Sequence, residues 1–292
     1  MQKIIFYLAV FALLGSCARP MANFSVPAED IPAAKTFTFN NETEKAQTYL
    51  WDFGDGKTST ETSPEHRFLS SGTYSVKLTA TDEKGKTGTK EKKVTVVAPE
   101  RCLVLIQTPM GDMLAEIYDR TPLHQDNFVK MVEQGYYDSL LFHRVIQGFM
   151  LQGGDPDSKN AAPGKTLGSG GPGYTIKAEF VDSLAHVKGA LAAARTNNPQ
   201  KRSSGSQFYI VQGKSVSEQE LNNKEGTARF RYPSYVREEY LKMGGTPFLD
   251  QEYTVFGQVI EGLDVIDRIA AVNTNAQNRP QEDVWMVIKL IR

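Results

Sequence analysis

The chain has 292 residues, of which 40% are hydrophobic and 23% are charged, and its formal net charge is -1. This length allows one large or two ordinary domains, and this composition excludes a disordered or fibrous protein. The near-neutral charge gives no support to a nucleic-acid or membrane-surface partner, and two cysteines, Cys17 and Cys102, are too few for a disulfide scaffold.

Residues 1–16 predict a signal peptide. Lys3 supplies a positive start, and residues 4–14 form an apolar run that is too short to span a bilayer. Leu14-Gly15-Ser16-Cys17 then resembles a bacterial lipobox, which implies cleavage before Cys17 and lipidation of that cysteine. An ordinary secretory signal with an incidental Cys17 is the alternative.

Lipidation of Cys17 would anchor the mature chain in a membrane. We therefore expect a protein of the bacterial cell envelope, facing the periplasm if the cell is Gram-negative, with the outer membrane favoured. Residues 17–23 would be a short tether. With Cys17 acylated, Cys102 has no partner within the chain and is predicted to be a buried strand residue.

Residues 24–98 show the pattern of an all-β domain. Residues 74–80 alternate strictly between apolar and polar side chains, as a half-buried strand does. The run W-D-F-G-D-G at residues 51–56 resembles the PKD domain. This resemblance implies an immunoglobulin-like β-sandwich with Trp51 and Phe53 in its core, and a domain that is a candidate for binding protein or carbohydrate.

Two carboxylates of this run, Asp52 and Asp55, have two possible roles. As calcium ligands they would be incomplete, because calcium takes about 6–8 oxygen ligands. Aspartates also accept hydrogen bonds from backbone N–H groups in turns. Turn capping is therefore the favoured interpretation, and residues 98–100 form the boundary to the next domain.

The second domain is predicted to span residues 101–292. Apolar runs predict strands at 103–106 and 112–118, and a helix should begin at Pro122 with Thr121 as its N-cap. Further strands follow at short spacing, with a second helix near residues 263–271.

Residues 142–155, F-H-R-V-I-Q-G-F-M-L-Q-G-G-D, carry the most informative pattern. In an extended chain, alternate side chains share a face unless Gly148 breaks the register, so Arg144, Met150 and Gln152 should project together. The run resembles the signature of the cyclophilins, which are peptidyl-prolyl cis-trans isomerases. That resemblance implies a closed eight-stranded antiparallel β-barrel with two capping helices, and it implies that Arg144 is catalytic.

Other segments of the family's pattern follow in the family's order, at residues 189–195, 204–210 and 248–257. They imply an apolar pocket for the proline ring, a glutamine that holds the substrate or the arginine, and backbone contacts to the substrate. The implied substrate-binding residues are Phe149, Met150, Gln152, Gly168, Ala194, Arg195, Gln207, Tyr209, Phe248, Leu249 and Tyr253.

Three pocket positions depart from the best-known cyclophilins. Tyr209 stands where they carry phenylalanine, Phe248 where they carry tryptophan, and Tyr253 where they carry histidine. We expect these departures to change drug affinity and the polarity of the pocket more than the fold or the activity.

Other chemistries find little support. Residues 168–173 formally fit G-x-G-x-x-G, but the following chain reads as a strand, so dinucleotide binding is not indicated. His124, His143 and His186 lack metal-ligand spacing, and His143 should face away from Arg144 in a structural role. No nucleophile–base pair is evident, and no cofactor or metal is expected.

Residues 213–246 form an insertion relative to the plain cyclophilin loop. They predict two short helices, at 217–221 and 234–243, the second ended by Gly244-Gly245. The insertion either shapes substrate choice or is inert. For the whole chain, the resemblance implies a lipid-anchored isomerase that acts on proline-containing polypeptides during protein folding outside the cytoplasm. An inactive cyclophilin-like peptide-binding scaffold is the alternative.

Overall fold

A computed structural model describes residues 19–26, 28 and 30–292. The chain divides into two compact units, one ending at Ala98 and the other spanning Pro99–Arg292. The predicted signal peptide and Cys17 lie outside the described residues. In the part of the chain that is described, no helix is long and apolar enough to cross a membrane.

Short strands make up the first unit. They are β1 (Phe24–Ser25), β2 (Asp30–Pro32), β3 (Thr36–Thr38), β4 (Asn40–Asn41), β5 (Thr48–Asp52), β6 (Thr58–Ser59), β7 (Glu65–Arg67), β8 (Gly72–Thr81) and β9 (Thr87–Val97). The main sheet has the order β2-β9-β8-β5-β6, and β1–β4 and β3–β7 form two further pairs. β8 pairs with β9 from Gly72 to Thr81, which makes this hairpin the longest ladder of the unit.

Aromatic side chains fill the core of the first unit, as predicted. Trp51 and Phe53 are both buried. The Trp51 ring meets the Phe24 ring edge-on at 5.1 Å between centroids. Its indole Nε1 donates a hydrogen bond to the carbonyl oxygen of Glu61 at 3.0 Å, so the one polar atom of the buried ring is satisfied.

The two aspartates of the W-D-F-G-D-G run cap turns. Asp52 Oδ1 accepts from the backbone N–H of Gly54 at 3.0 Å, and Asp55 Oδ1 accepts from that of Lys57 at 3.0 Å. The other carboxylate oxygen of Asp55 lies 2.9 Å from Nε2 of His66. The capping interpretation is therefore confirmed.

The second unit is organised around one curled antiparallel sheet. Its strands are β10 (Leu103–Thr108), β11 (Gly111–Ile117), β12 (Leu140–Leu141), β13 (Arg144–Ile146), β14 (Met150–Gly153), β16 (Ala190–Ala193), β18 (Phe208–Val211), β19 (Val255–Glu261) and β20 (Trp285–Leu290), while β15 (Thr175–Ile176) and β17 (Ser203–Ser204) form a separate pair. The order is β12-β20-β10-β11-β19-β16-β18-β14-β13. Only Phe142 and His143 separate the two end strands in the chain, so the sheet bends back on itself.

Four α-helices lie in this unit within the described chain: α1 (Pro122–Glu133), α2 (Glu218–Ala228), α3 (Ser234–Met243) and α4 (Leu263–Ala270). Phe128 of α1 and Ile266 of α4 are buried in the same apolar cluster as Val104 and Ile210 of the sheet. The two capping helices and the sheet confirm the predicted cyclophilin-like fold. α2 and α3 belong to the insertion, and α2 is longer than the predicted 217–221.

Two local details differ from expectation. Thr121 is the N-cap of α1, but its hydroxyl donates to the Tyr118 carbonyl at 3.3 Å and makes no cap hydrogen bond. The carboxylate of Glu179 accepts from the N–H groups of Leu123 and His124, at 3.1 Å each, and so caps the helix from a distant segment. Cys102 is half-buried and precedes β10, so its prediction as a buried strand residue is wrong, because the strand begins one residue later.

Candidate active site

The stretch that carries Arg144 is a hairpin and not one extended strand. β13 and β14 pair with Arg144 opposite Gln152 and Ile146 opposite Met150. Gly148 lies in the turn between them at φ 73°, a conformation that glycine adopts without steric cost. Because directly paired residues of an antiparallel ladder lie on the same face, Arg144 and Gln152 still project together. The expected register is therefore broken at Gly148, but the expected face is preserved.

Hydrogen bonds connect Arg144 to the glycine-rich loop. Nη1 of Arg144 donates to Oε1 of Gln152 at 3.3 Å, and Nε2 of Gln152 donates to Oε1 of Gln207 at 3.1 Å. Nε2 of Gln207 donates in turn to the carbonyl oxygens of Gly168, at 3.0 Å, and Gly170, at 2.7 Å. This relay of amides orients the guanidinium and places four of the predicted site residues in one polar row.

Gly168 is held on its other side by Asp155, whose carboxylate accepts from the Gly168 N–H. Its φ is 104°, in the region that favours glycine. A cavity of about 590 Å³ lies beside the loop, and Gln152, Gly168, Ala194, Arg195 and Gln207 are among the residues that line it. The loop leads into β15, which confirms that no helix follows it and that the dinucleotide interpretation fails.

An apolar cluster lies beside this polar row. Met150, Ala194, Tyr209 and Leu249 are buried in it, and Phe149 and Tyr253 pack against it. These six side chains come from four separated segments of the chain. The structure therefore brings the predicted pocket residues together.

Phe248 differs from the rest of the predicted pocket because 59% of its surface is exposed. Its ring lies 5.7 Å from the ring of Phe149, so it stands at the rim of the pocket. On another side of the pocket, the guanidinium of Arg195 lies over the Tyr253 ring at 4.7 Å. Arg195 also donates to the carbonyl oxygen of Glu252 at 3.0 Å and to its carboxylate at 3.2 Å.

The hydroxyl of Tyr209 has a partner that sequence reasoning missed. It lies 2.9 Å from Nε2 of His186, whose Nδ1 lies 2.6 Å from Oδ1 of Asp250. In a neutral imidazole, Nδ1 then donates to the Asp250 carboxylate, which only accepts, and Nε2 accepts from the tyrosine hydroxyl. Burial raises the pKa of Tyr209 well above its usual value, so the hydroxyl keeps its proton. The extra polarity expected at Tyr209 is therefore largely satisfied within the protein.

Asp250 also ties the insertion to the pocket. Its Oδ2 accepts from the hydroxyls of Tyr232 and Tyr240, at 2.5 Å each. Tyr240 belongs to α3, and Tyr232 lies between α2 and α3. In the sequence, the one indication that Asp250 contacts the pocket is that it directly follows Leu249.

The structure assigns no catalytic role to the histidines of the second unit. His143 is buried, and burial lowers its pKa while Asp155 opposes this and Arg144 and Arg279 add to it. Burial also lowers the pKa of His124, although Glu179 opposes the shift. Among the described residues, no group of three or more histidine, cysteine, aspartate or glutamate side chains is placed to hold a metal ion.

Comparisons with known proteins show which families the two units match. Residues 103–289 match the family "Cyclophilin type peptidyl-prolyl cis-trans isomerase/CLD", and residues 17–96 match the PKD domain. A putative peptidyl-prolyl cis-trans isomerase of Staphylococcus epidermidis is 40% identical over 182 residues, which are 62% of this chain and 87% of that protein.

Two more relatives differ in how much of them is matched. A putative bifunctional phosphatase/peptidyl-prolyl cis-trans isomerase of Streptococcus pyogenes is 38% identical over 187 residues, 62% of this chain, and the chain spans only 37% of its length. A crystal structure of a cyclophilin type isomerase from Cryptosporidium parvum aligns with a TM-score of 0.47 at 22% identity, covering 65% of this chain and 97% of that one. The matched family covers well over half of the 292 residues, and the chain belongs to the cyclophilin-type peptidyl-prolyl cis-trans isomerases, with a PKD domain ahead of the isomerase domain.

Proposed function

We propose that the second unit catalyses the cis–trans isomerisation of X-Pro bonds in polypeptides, with Arg144 as the catalytic residue. The observation that carries this proposal is the Arg144–Gln152 pair, at 3.3 Å, next to a pocket built from Phe149, Met150, Tyr209 and Leu249. A proline ring needs an apolar site, and the rotating bond needs a donor near the prolyl nitrogen. Both features lie together here.

The chemistry follows from the amide bond. Resonance sets a rotation barrier of about 18–20 kcal/mol, and the twisted transition state loses that resonance. Its nitrogen becomes pyramidal and accepts a hydrogen bond that the planar ground state cannot accept. The guanidinium of Arg144 is always charged and presents a rigid fork of donors, so it stabilises the transition state selectively.

One hydrogen bond does not supply the whole effect. An acceleration of about 10⁵-fold requires roughly 7 kcal/mol, whereas a charge-assisted hydrogen bond contributes about 1.5–3 kcal/mol. The remainder would come from positioning of the proline in the apolar pocket and of the flanking backbone beside Ala194 and Gln207. Arg144 is itself held in position: Gln152, which orients the guanidinium, is fixed by its hydrogen bond to Gln207 at 3.1 Å.

The alternative is a peptide-binding scaffold without turnover. Isomerisation of a proline tetrapeptide, coupled to a protease that cleaves only the trans form, separates the two functions. We expect the full chain to make the cis–trans exchange much faster than the uncatalysed reaction, which takes about 10–100 s. Binding of the peptide without acceleration would support the scaffold.

We also propose that the chain is anchored through a lipidated Cys17 and acts on folding proteins outside the cytoplasm, in the cell envelope. The support is the run Leu14-Gly15-Ser16-Cys17 behind the apolar residues 4–14. Mass spectrometry of the membrane fraction should find an acylated Cys17 as the N-terminal residue. A chain that retains Met1, or an unmodified Cys17, would reject the anchor.

The PKD domain is proposed as a binding module or spacer, for protein or carbohydrate, that takes no part in catalysis. Every candidate catalytic or substrate-binding residue lies beyond Pro99, in the second unit, which has its own core. Residues 99–292 expressed alone should therefore turn over a short proline peptide as the full chain does. A folded fragment without activity would contradict this assignment.

A further inference from the structure

A second cavity adjoins the proline pocket, and the insertion builds most of it. Its volume is about 280 Å³, and its walls include Gly148 of the hairpin turn and Phe248 of the pocket rim. Val216, Asn223 and Thr227 of the insertion also line it. We name this cavity the insertion groove. It is separate from the cavity along the glycine-rich loop, which lies beside Gln152 and Arg195.

Phe248 is the wall that the insertion groove and the proline pocket share. Its ring packs at 5.7 Å from Phe149, which in turn packs against the apolar cluster of Met150 and Tyr209. At the same time Phe248 lines the groove and is 59% exposed. Lys224 of α2 donates to its carbonyl oxygen at 3.1 Å, which holds the helix of the insertion against this wall. A peptide leaving the pocket past Phe248 therefore reaches the groove directly.

The polar atoms of the groove are those that an extended peptide uses. Thr246 lines the groove and is only 2% exposed, yet its Oγ1 has no hydrogen-bond partner among the described residues. Buried hydroxyls normally have partners, and a peptide N–H or carbonyl group would supply one. Lys214 and Lys224 bring two positive charges to the wall, against the one negative charge of Glu220, whose carboxylate accepts from the N–H and hydroxyl of Ser217.

We propose that the insertion groove is a subsite for the client polypeptide itself, which takes an apolar side chain within a few residues of the isomerised proline. A volume of about 280 Å³ lies just below the usual range of ligand pockets and suits one or two side chains, not a helix or a second domain. The lysines favour an acidic residue beside that side chain. This assignment rests on the proposed function, because the client is the chain held in the proline pocket.

The groove then gives the insertion a role in substrate choice. A bulky apolar residue buried there adds affinity that a glycine at the same position cannot add. Since each residue of an extended chain spans about 3.3–3.6 Å, only positions near the proline reach the groove. The proposal therefore predicts a preference at one position of the client, and not a general affinity for apolar peptides.

The test compares peptides that differ at one position. Nine-residue peptides with a central proline carry leucine or glycine at each of the three positions on either side of it. Binding to the full chain is measured by calorimetry, which does not depend on turnover. We expect at least tenfold tighter binding of the leucine peptide at one position or two adjacent ones.

Two variants of α2 locate that preference. Asn223→Trp fills the groove, and Gln219→Trp places the same ring on an exposed residue outside the groove. Both remove the same hydrogen bond, from Gln219 Nε2 to Asn223 Oδ1 at 2.9 Å, so they are matched in what they lose from the helix. Asn223→Trp should bind the leucine and glycine peptides equally, and Gln219→Trp should keep the preference.

Three results would overturn the groove assignment: no leucine preference in the unchanged protein, a preserved preference in Asn223→Trp, or an equal loss in Gln219→Trp. If Asn223→Trp lost the leucine preference and also changed the oligomeric mass of the protein, the groove would be assigned to a second copy of the chain. That result would overturn the proposal as well. Turnover of the glycine peptide is measured in parallel. Its absence would contradict the proposed catalysis, whereas the binding preference would still decide the groove.

Discussion

Tyr240 of the insertion donates its hydroxyl to Asp250, 2.5 Å away, although Asp250 lies ten positions further along the chain, beyond the end of α3. Both side chains are buried. The same carboxylate oxygen accepts from Tyr232, and the other oxygen lies 2.6 Å from Nδ1 of His186, the partner of Tyr209. The insertion is thus joined to the floor of the proline pocket through one buried acid.

Tyr240→Phe should destabilise the second unit. The substitution removes one hydrogen bond to a buried carboxylate, at a cost of about 1.5–3 kcal/mol. Denaturant unfolding of the variant should show that loss in the free energy of unfolding. Tyr235→Phe is the matched control, because Tyr235 lies in the same helix and is 51% exposed. Equal stability of the two variants would show that the Asp250 contact contributes nothing.

The stability of the second unit should fall on acidification below about pH 6.5. Burial lowers the pKa values of His124 and His143, so between each folded-state pKa and 6.5 the unfolded chain binds more protons than the folded one. The contribution of these two histidines to the free energy of unfolding is complete above pH 6.5. It is lost as the pH falls toward their folded-state pKa values. The loss is at most about 1.4 kcal/mol per pH unit for each histidine.

His143→Leu isolates one of these contributions. Thermal melts at pH 7.5 and pH 5.5 should show a smaller drop in Tm for the variant than for the unchanged protein. The charged groups that act on His143 are Asp155, Arg144 and Arg279, and all three remain in the variant. An undiminished drop would mean that His143 does not contribute to the acid sensitivity.

Cyclosporin should inhibit the protein weakly. Phe248 stands at the pocket rim where sensitive cyclophilins carry tryptophan, and it offers no indole N–H. One neutral hydrogen bond contributes about 0.5–1.5 kcal/mol, so Phe248→Trp should tighten inhibition by up to about tenfold. Inhibition constants for both proteins, measured with the same tetrapeptide, test this. Nanomolar inhibition of the unchanged protein would contradict the prediction.

Local patterns in the sequence predicted much of the fold, and the resemblance to the cyclophilins implied most of the pocket. Alternation along residues 74–80 and the W-D-F-G-D-G run predicted the first unit, and the run at 142–155 predicted the face shared by Arg144 and Gln152. The sequence allowed for a break in register at Gly148 but did not predict the hairpin, in which the chain reverses direction at a glycine of positive φ. The period of the side-chain pattern alone does not distinguish a continuous strand from a hairpin.

Contacts between distant segments were beyond sequence reasoning. Glu179 caps α1 from 55 residues away, and the network of His186, Asp250, Tyr232 and Tyr240 joins three separate segments. None of these residues forms a short motif with its partner. Their pairing depends on how the sheet curls and where the insertion packs, and only the folded chain specifies both.

The most direct measurement of the central claim is turnover of a proline tetrapeptide by Arg144→Ala. The variant loses the one charged donor in the Arg144, Gln152 and Gln207 row, and removal of a transition-state hydrogen bond of this kind costs about 10²–10³-fold in rate. Arg144→Lys should also be slow, because an ammonium does not reproduce the planar fork. Circular dichroism and thermal melts confirm folding. We predict a folded Arg144→Ala protein with a rate at least a hundredfold lower and peptide affinity nearly unchanged; a folded variant with near-normal turnover would contradict the assignment of Arg144.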